Sequence, residues 1–306
     1  MGNDAPGLRS AAIAPLLAVI GVFGFSFKAI LIKLAYAAYP IDALSLLTLR
    51  MLYAMPLFAL MAWWASRGGT VTPITRSDWM KLTWLGFIGY YFSSLLDFTG
   101  LQYITASMER LVLFLYPTIV VLLSAVILKQ PITRRALLSL ALSYAGIVLV
   151  IVHDLRLTTD IHALLVGGLL VFASACSYAV YLVGVGPVIG RLGSLRFISW
   201  AMLLSTVFVL LHFAVTRPLS ALMAPAGVQG LSMAMAVVST ALPTFLIAES
   251  IKRMGANRAS LVGSLGPVFT VWMGYMLLDE PVHVIQLAGG ALVLVGVTLV
   301  TVKPAR

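Results

Sequence analysis

Charge is what this sequence has least of. Only 10% of its 306 residues are Asp, Glu, Lys or Arg, against 61% hydrophobic residues and a mean hydropathy of +1.05. A soluble domain is nearer a quarter charged, so too little polar surface exists to solvate a globule of this size. That excludes a soluble enzyme, a disordered chain and a nucleic-acid-binding module. Cysteine is nearly absent as well. The single Cys176 lies inside an apolar run and rules out an intrachain disulfide or a cysteine-cluster metal site. No metal-ligand spacing, nucleophile elbow, phosphate loop or dinucleotide fingerprint occurs, so the chain is read with no cofactor, no metal and no catalytic group. Acidic residues are few, ten against twenty basic ones. In a soluble protein the resulting +10 would suggest an acidic partner; here the placement of the charges gives it another meaning.

What the chain does have is apolar runs. Ten are read, at about 12–36, 41–65, 80–100, 104–128, 133–152, 163–187, 194–215, 228–250, 256–278 and 283–302. Ten spans of roughly 20 to 22 residues use most of the chain and leave only short loops. The expectation is an all-α integral membrane protein of ten transmembrane helices, because a membrane barrel shows roughly ten-residue alternating segments instead. Lys and Arg give its orientation. With the N-terminus inside, fourteen fall on inner segments, among them Arg67, Arg76, Lys129, Arg134, Arg135, Lys252 and Arg253, and two, Arg156 and Arg217, fall outside. The basic balance is a topology signal, with both termini cytoplasmic.

Sliding the chain on itself by 150 residues aligns 102–152 with 252–302 at about 15 of 51 positions, without a gap. Ala106 falls on Ala256, Pro117 on Pro267, Pro131 on Pro281 and Gly146 on Gly296. Leu128-Lys-Gln-Pro131 repeats as Leu278-Asp-Glu-Pro281. Five helices per half is an odd number, so a duplicated second half is inverted in the bilayer. Inverted repeats place a substrate site near the midplane between the halves, around a central cavity. The halves are read as 12–152 (helices 1–5) and 163–302 (helices 6–10).

The segments Tyr103-Ile-Thr-Ala-Ser-Met-Glu-Arg-Leu-Val-Leu-Phe-Leu-Tyr-Pro117 and Gly255-Ala-Asn-Arg-Ala-Ser-Leu-Val-Gly-Ser-Leu-Gly-Pro267 each precede a helix that ends near Gln130-Pro131 or Asp279-Glu280-Pro281, followed by a Gly-containing last helix. In this the chain resembles the ten-helix EamA-type branch of the drug/metabolite transporter superfamily, as two EamA-like repeats of about 20–152 and 165–302. The resemblance implies a carrier of the bacterial inner membrane that exports amino acids or other small metabolites. Two positions depart from the pattern: Gly24-Phe25-Ser26 stands where many relatives carry a tryptophan, and Gln130 where they carry a glutamate.

Ionisable residues inside a membrane cost a few kcal/mol each and mark function by default. At about 1.5 Å rise per residue, Lys28, Arg50, Asp97, Glu109 and Arg110 share one layer in the middle and outer half of the bilayer, and Asp97 is expected to pair with Lys28 or Arg50. Helical spacing sets Tyr90, Ser94 and Asp97 on one face of helix 3, and Glu109 with Tyr116 on one face of helix 4. Ser174, Ser177, Tyr178 and Tyr181 form a polar-aromatic stripe on helix 6, and Ser264 with Pro267 marks helix 9. The candidate residues for substrate binding or coupling are Lys28, Arg50, Tyr90, Ser94, Asp97, Glu109, Arg110, Tyr116, Ser177, Tyr178, Tyr181 and Ser264. A plainer reading makes the charges a buried ion-pair network that fixes helix packing and the small hydroxyls helix-packing contacts. Expected partners are a small-molecule substrate, the lipid bilayer and protons, in a monomer or homodimer and with no nucleic acid. The functional reading is a secondary exporter of carboxylate-bearing metabolites working by alternating access. The alternatives are a carrier of nucleotide-sugars, lipid-linked sugars or metal chelators, and an intramembrane enzyme using Asp97 and Glu109 as acid and base.

Overall fold

A computed structural model of the chain describes residues 8–67, 72–129, 131–157, 160–254, 259 and 262–301. Gln130 and residues 255–258, 260 and 261 of the second motif lie outside the described residues. Among the described residues every regular element is helical. The order is α1 (Leu8–Ala38), α2 (Ala43–Ala65), α3 (Arg76–Gly86), α4 (Ser93–Gly100), α5 (Ala106–Leu113), α6 (Tyr116–Ile127), α7 (Arg134–Leu157), α8 (Ile161–Leu192), α9 (Ser194–Thr216), α10 (Ala226–Ala236), α11 (Leu242–Met254), α12 (Gly266–Leu278) and α13 (Val284–Thr301).

Helix thus occupies part of each of the ten apolar runs, and among the described residues seven helices are long and apolar enough to cross a membrane by length and composition. The helices at the ends of the ninth and tenth runs, Gly266–Leu278 and Val284–Leu299, are apolar but shorter. Polarity is distributed as a membrane demands. Val126, Val215 and Val284 are exposed on the outside of the bundle, while Arg50, Asp97 and Glu109 are buried within it. The chain is a multi-pass membrane protein.

Local chemistry explains where the helices begin. Asp42 accepts hydrogen bonds from the backbone N–H groups of Leu44 and Ser45, both at 3.1 Å, and caps α2. Thr75 and Asp78 form a reciprocal capping box at the head of α3. Pro117 and Pro267 sit in the first turns of α6 and α12. A proline cannot donate and its ring crowds the preceding turn, so the fourth and ninth runs are each broken just before it.

The 150-residue period is written into the backbone. α3 begins at Arg76 and α10 at Ala226. The wide turns Phe87–Phe92 and Val237–Ala241, in which the helix takes an extra residue, follow each in turn. Lys129 and Asp279 both adopt the left-handed conformation, at φ 53° and 52°, just after α6 and α12. Packing follows the same exchange. α8 lies against α4 and α6, and α1, its counterpart, lies against α11 and α12; α3 packs on α9 as α10 packs on α2.

The α7–α13 pair shows the relation at atomic scale. A Cβ on Gly146 would lie 2.5 Å from the Gly289 carbonyl oxygen, and one on Gly289 would lie 2.7 Å from that of Gly146. Seven residues away, Ser139 Oγ donates to the Gly296 carbonyl at 2.5 Å. Gly296 is the repeat partner of Gly146, and Gly289 that of Ser139. The two helices therefore run antiparallel and make the same contact twice, as a local twofold axis requires. Small residues let the backbones approach this closely.

Two outcomes are expected from this packing. Gly146→Ala forces a methyl against a backbone carbonyl and lowers stability by about 1 to 3 kcal/mol, read as a lower thermal midpoint in detergent. Gly190→Ala, where a Cβ meets nothing within 4 Å, leaves the midpoint unchanged or raises it. Asp78, at the head of α3, accepts from the Thr75 hydroxyl at 2.7 Å and the Thr75 N–H at 2.8 Å, with Arg191 beside it. These donors hold its carboxyl below the ordinary value of 3.8. A depressed carboxylate stabilises the fold above the unfolded-state value and loses that contribution as pH falls through the folded one. The stability gap between wild type and Asp78→Asn is therefore expected at neutral pH and closes on acidification below about 3.8, measured as thermal midpoints across pH.

Candidate substrate-binding site

Four of the five ionisable residues read from the sequence meet in one cluster. Lys28, on α1, places its ammonium 2.6 Å from Asp97 Oδ2 on α4 and 3.8 Å from Glu109 Oε1 on α5. Arg110 Nε lies 3.9 Å from Glu109 Oε2. Asp97 Oδ1 and both oxygens of Glu109 have no hydrogen-bond partner among the described residues. The acids are 2% and 0% exposed, and the Lys28 and Arg110 side chains 18% and 13%. Charged groups retaining that much accessible surface in the interior of the bundle face a space that water or a polar ligand can enter.

Adjacent residues on a helix diverge by about 100°, and Glu109 and Arg110 divide accordingly. Glu109 turns to Lys28. Arg110 reaches Thr270 in the second half, where its Nε donates to Oγ1 at 3.1 Å, and its Nη2 donates to the Phe25 carbonyl on α1 at 3.2 Å. Thr270 and the Phe25 carbonyl were not singled out in the sequence, since neither carries charge.

Arg50 is the exception. It is 6% exposed, its guanidinium stands 5.2 Å over the ring of Phe98, and its Nε has no partner. Among the described residues it makes no hydrogen bond and no ion pair within 4 Å. Of the two partners expected for Asp97, Lys28 takes the role and Arg50 does not. Lys28, Arg50 and Arg110 against Asp97 and Glu109 leave the layer with one positive charge in excess, and that charge belongs to the residue without a counter-ion. Lys33 stands apart and donates to the carbonyls of Leu101 and Ile104.

The tyrosines form a second cluster. Tyr90 and Tyr181 join hydroxyls at 2.8 Å, Tyr178 stacks on Tyr181 at 5.3 Å between centroids, and Tyr116 meets Tyr178 edge-on at 5.2 Å. Tyr116 is also within electrostatic reach of Arg110, which connects the aromatic tract to the charged layer. The ring of Tyr181 lies flat on Gly89, where a Cβ would be 2.5 Å from it. Three of the four, Tyr90, Tyr116 and Tyr178, are half-buried.

Two serines on the candidate roster land elsewhere. Ser177 Oγ donates to the Ile88 carbonyl at 2.6 Å. That carbonyl lies in the wide turn 87–92, whose loosened backbone leaves acceptors for neighbouring helices to satisfy. Ser177 is therefore helix-packing glue. The α4–α8 contact is made by Ser93, which exchanges hydrogen bonds with Ser174 at 2.8 to 3.3 Å. Ser94, half-buried, lies in α4 with Asp97 three residues on, while Tyr90 belongs to the wide turn before them, whose extra residue shifts its face relative to theirs. Ser264 sits half-buried at the break before α12.

Two open grooves lie apart from this layer. One, of about 610 Å³, runs between α5, α12 and α13 and is lined mainly by apolar residues, including Met108, Leu111 and Trp272. The other, of about 550 Å³, lies by Trp79, Trp84, Phe87 and Phe208. Neither includes a charged residue of the cluster.

This arrangement belongs to a chain with recognisable relatives. A family model described as the EamA-like transporter family matches residues 12–152 and 165–302. The chain is 31% identical over 296 residues to the uncharacterized transporter YcbK of Bacillus subtilis, covering 92% of this chain and 90% of that one. It is 24% identical over 288 residues to an uncharacterized transporter of Archaeoglobus fulgidus, covering 94% and 98%. A solved crystal structure of 17% identity superposes over 94% of this chain and 97% of its own with a TM-score of 0.64, a likeness of fold. The chain belongs to the EamA-like transporter family.

Proposed function

We propose that this membrane transporter carries small carboxylate-bearing metabolites, amino acids or close analogues, by alternating access. The moving parts in this reading are two inverted five-helix halves, 12–152 and 163–302, in the bacterial inner membrane with both termini cytoplasmic. The exchanged packing of the halves, the antiparallel twofold contact of α7 with α13 and the fourteen-to-two split of basic residues support that architecture.

One observation carries the substrate class, the buried guanidinium of Arg50, which among the described residues makes no hydrogen bond and no ion pair within 4 Å and feels Asp97 only at longer range. An unpaired buried charge is costly, and a carboxylate satisfies it with two parallel hydrogen bonds. The half-buried tyrosines beside the cluster offer apolar faces with polar tips to the rest of such a molecule. Direction of transport follows the exporter reading of the family resemblance.

The account separates Arg50 from ordinary packing residues. Lys28 and Arg110 already face both acids, so Arg50→Leu strands no carboxylate and leaves a fold at least as stable as wild type. Transport of the carboxylate substrate falls roughly ten- to a hundredfold, the worth of a charged hydrogen bond. Arg50→Lys retains charge without the fork and is impaired less. Proteoliposome flux across an amino-acid panel, with thermal midpoints measured in parallel, reads both. Undiminished flux in well-folded Arg50→Leu contradicts the assignment.

The shared contact of Asp97 and Glu109 with Lys28 supports proton coupling as the energy source. Two buried carboxyl groups gathered around one ammonium favour holding a proton on one of them. Glu109, adjacent to the break before Pro117, is the group expected to exchange that proton when substrate displaces Lys28. With substrate gradients matched and the membrane potential clamped, an imposed pH gradient is expected to change the flux, and Glu109→Gln to abolish that response. A flux indifferent to the gradient makes the protein a uniporter.

A further inference from the structure

Asp97 and Glu109 are presented by α4 and α5, and the turn between these helices, 101–105, is held from two sides by charges outside it. Lys33 donates to the carbonyls of Leu101 and Ile104 at 3.2 and 3.0 Å, at the carbonyl end of α4. Glu280, in the segment after α12, reaches the opposite pole. Its Oε1 accepts from the Ala106 N–H at 2.6 Å, and its Oε2 accepts from the Ser107 N–H at 3.1 Å and the Ser107 hydroxyl at 2.6 Å. Each charge thus meets the helix end that the backbone dipole favours, and Glu280 satisfies first-turn N–H groups that have no partner within the helix. Glu280 is buried. Room for its carboxylate exists because residue 274 is glycine; a Cβ there would lie 2.8 Å from Glu280 Oε2 and 3.1 Å from Ser107 Oγ.

Glu280 belongs to the second half and α5 to the first. We propose that Glu280 is a positioning residue and latch: it seats the start of α5 so that Glu109, one turn on, meets Lys28 and Asp97, and it holds the outer end of the bundle closed. The inference rests on the inverted-half reading above for what counts as outer. Movement of the halves apart at this end must withdraw a buried carboxylate from three donors, two backbone and one hydroxyl. Charge-assisted hydrogen bonds are about twice as strong as neutral ones, so the closed end is favoured until a competing interaction turns α5. Substrate binding at Lys28 or Arg110 supplies one, since both contact Glu109 on that helix.

The test reads accessibility from each face of the membrane. In a Cys176→Ser background, a reporter cysteine at Ser94→Cys, half-buried on α4 three residues from Asp97, is labelled in oriented vesicles by a membrane-impermeant maleimide. Glu280→Gln keeps one acceptor but turns an amide donor toward the Ser107 N–H. Gly274→Ala leaves every latch group in place and crowds the carboxylate out of its seat. Both are expected to speed labelling from the outer face several-fold. A purely structural role for Glu280 lowers the thermal midpoint without this sided change. Rates equal to the parent's in both variants, or in Gly274→Ala alone where Glu280→Gln does not fold, overturn the latch. Acceleration confined to the cytoplasmic face upholds the latch and overturns the orientation on which its outer placement rests.

Discussion

A charge inside a bilayer has to be compensated, and much of this structure follows from how that is done. Two acids and three cations are drawn from α1, α2, α4 and α5. Lys28 binds both acids and Arg110 ties one of them to the second half through Thr270. These contacts fix how the carrier helices sit on one another. They leave Arg50 over the face of Phe98 with no ion pair within 4 Å among the described residues. In the proposed function, that asymmetry is what makes a packing network a site.

The duplicated scaffold has diverged where this matters. Elements recur at about 150 residues in the same order, with a wide turn and a left-handed stop in each half. The side chains in them do not. Lys28 corresponds to Tyr178, Glu109 to Ala259 and Tyr90 to Thr240. The first half therefore supplies the charges, and the second supplies Tyr178 and Tyr181 on α8. Recurrent elements with unlike side chains thus set charges from the first half beside tyrosines from the second.

Much of this was legible in the sequence, for a physical reason. Hydrophobic length, basic-residue placement and a fixed repeat are one-dimensional signals, so the apolar runs and the 150-residue period needed no tertiary information. Depth was legible too, because helical rise converts residue number into height, and it brought Lys28, Asp97, Glu109 and Arg110 to one level. Azimuth was not. Helical spacing could not choose between Lys28 and Arg50 for Asp97, since that depends on how α1 and α2 are rotated against α4. The wide turn at 87–92 was invisible for a related reason: its extra residue is accommodated by Ser177 reaching across to the Ile88 carbonyl. The Ser93–Ser174 contact beside it was equally hidden, since it depends on how α4 and α8 are rotated against each other. Glu280 was visible as the acid of a Glu-Pro pair, but its partners at Ala106 and Ser107 lie more than 170 residues away.

The central claim is that Arg50 awaits the carboxylate of a substrate, and ligand-induced stabilisation of the purified protein tests it most directly. A ligand that binds only the folded state raises stability in proportion to the logarithm of its concentration over Kd. Amino acids are compared with their amides, in wild type and in Arg50→Leu, by the shift in thermal midpoint. The account predicts at least one acid that raises the wild-type midpoint, an amide of the same compound that does not, and no shift from either in Arg50→Leu. Equal stabilisation by acid and amide, or a shift that survives the loss of Arg50, would contradict it.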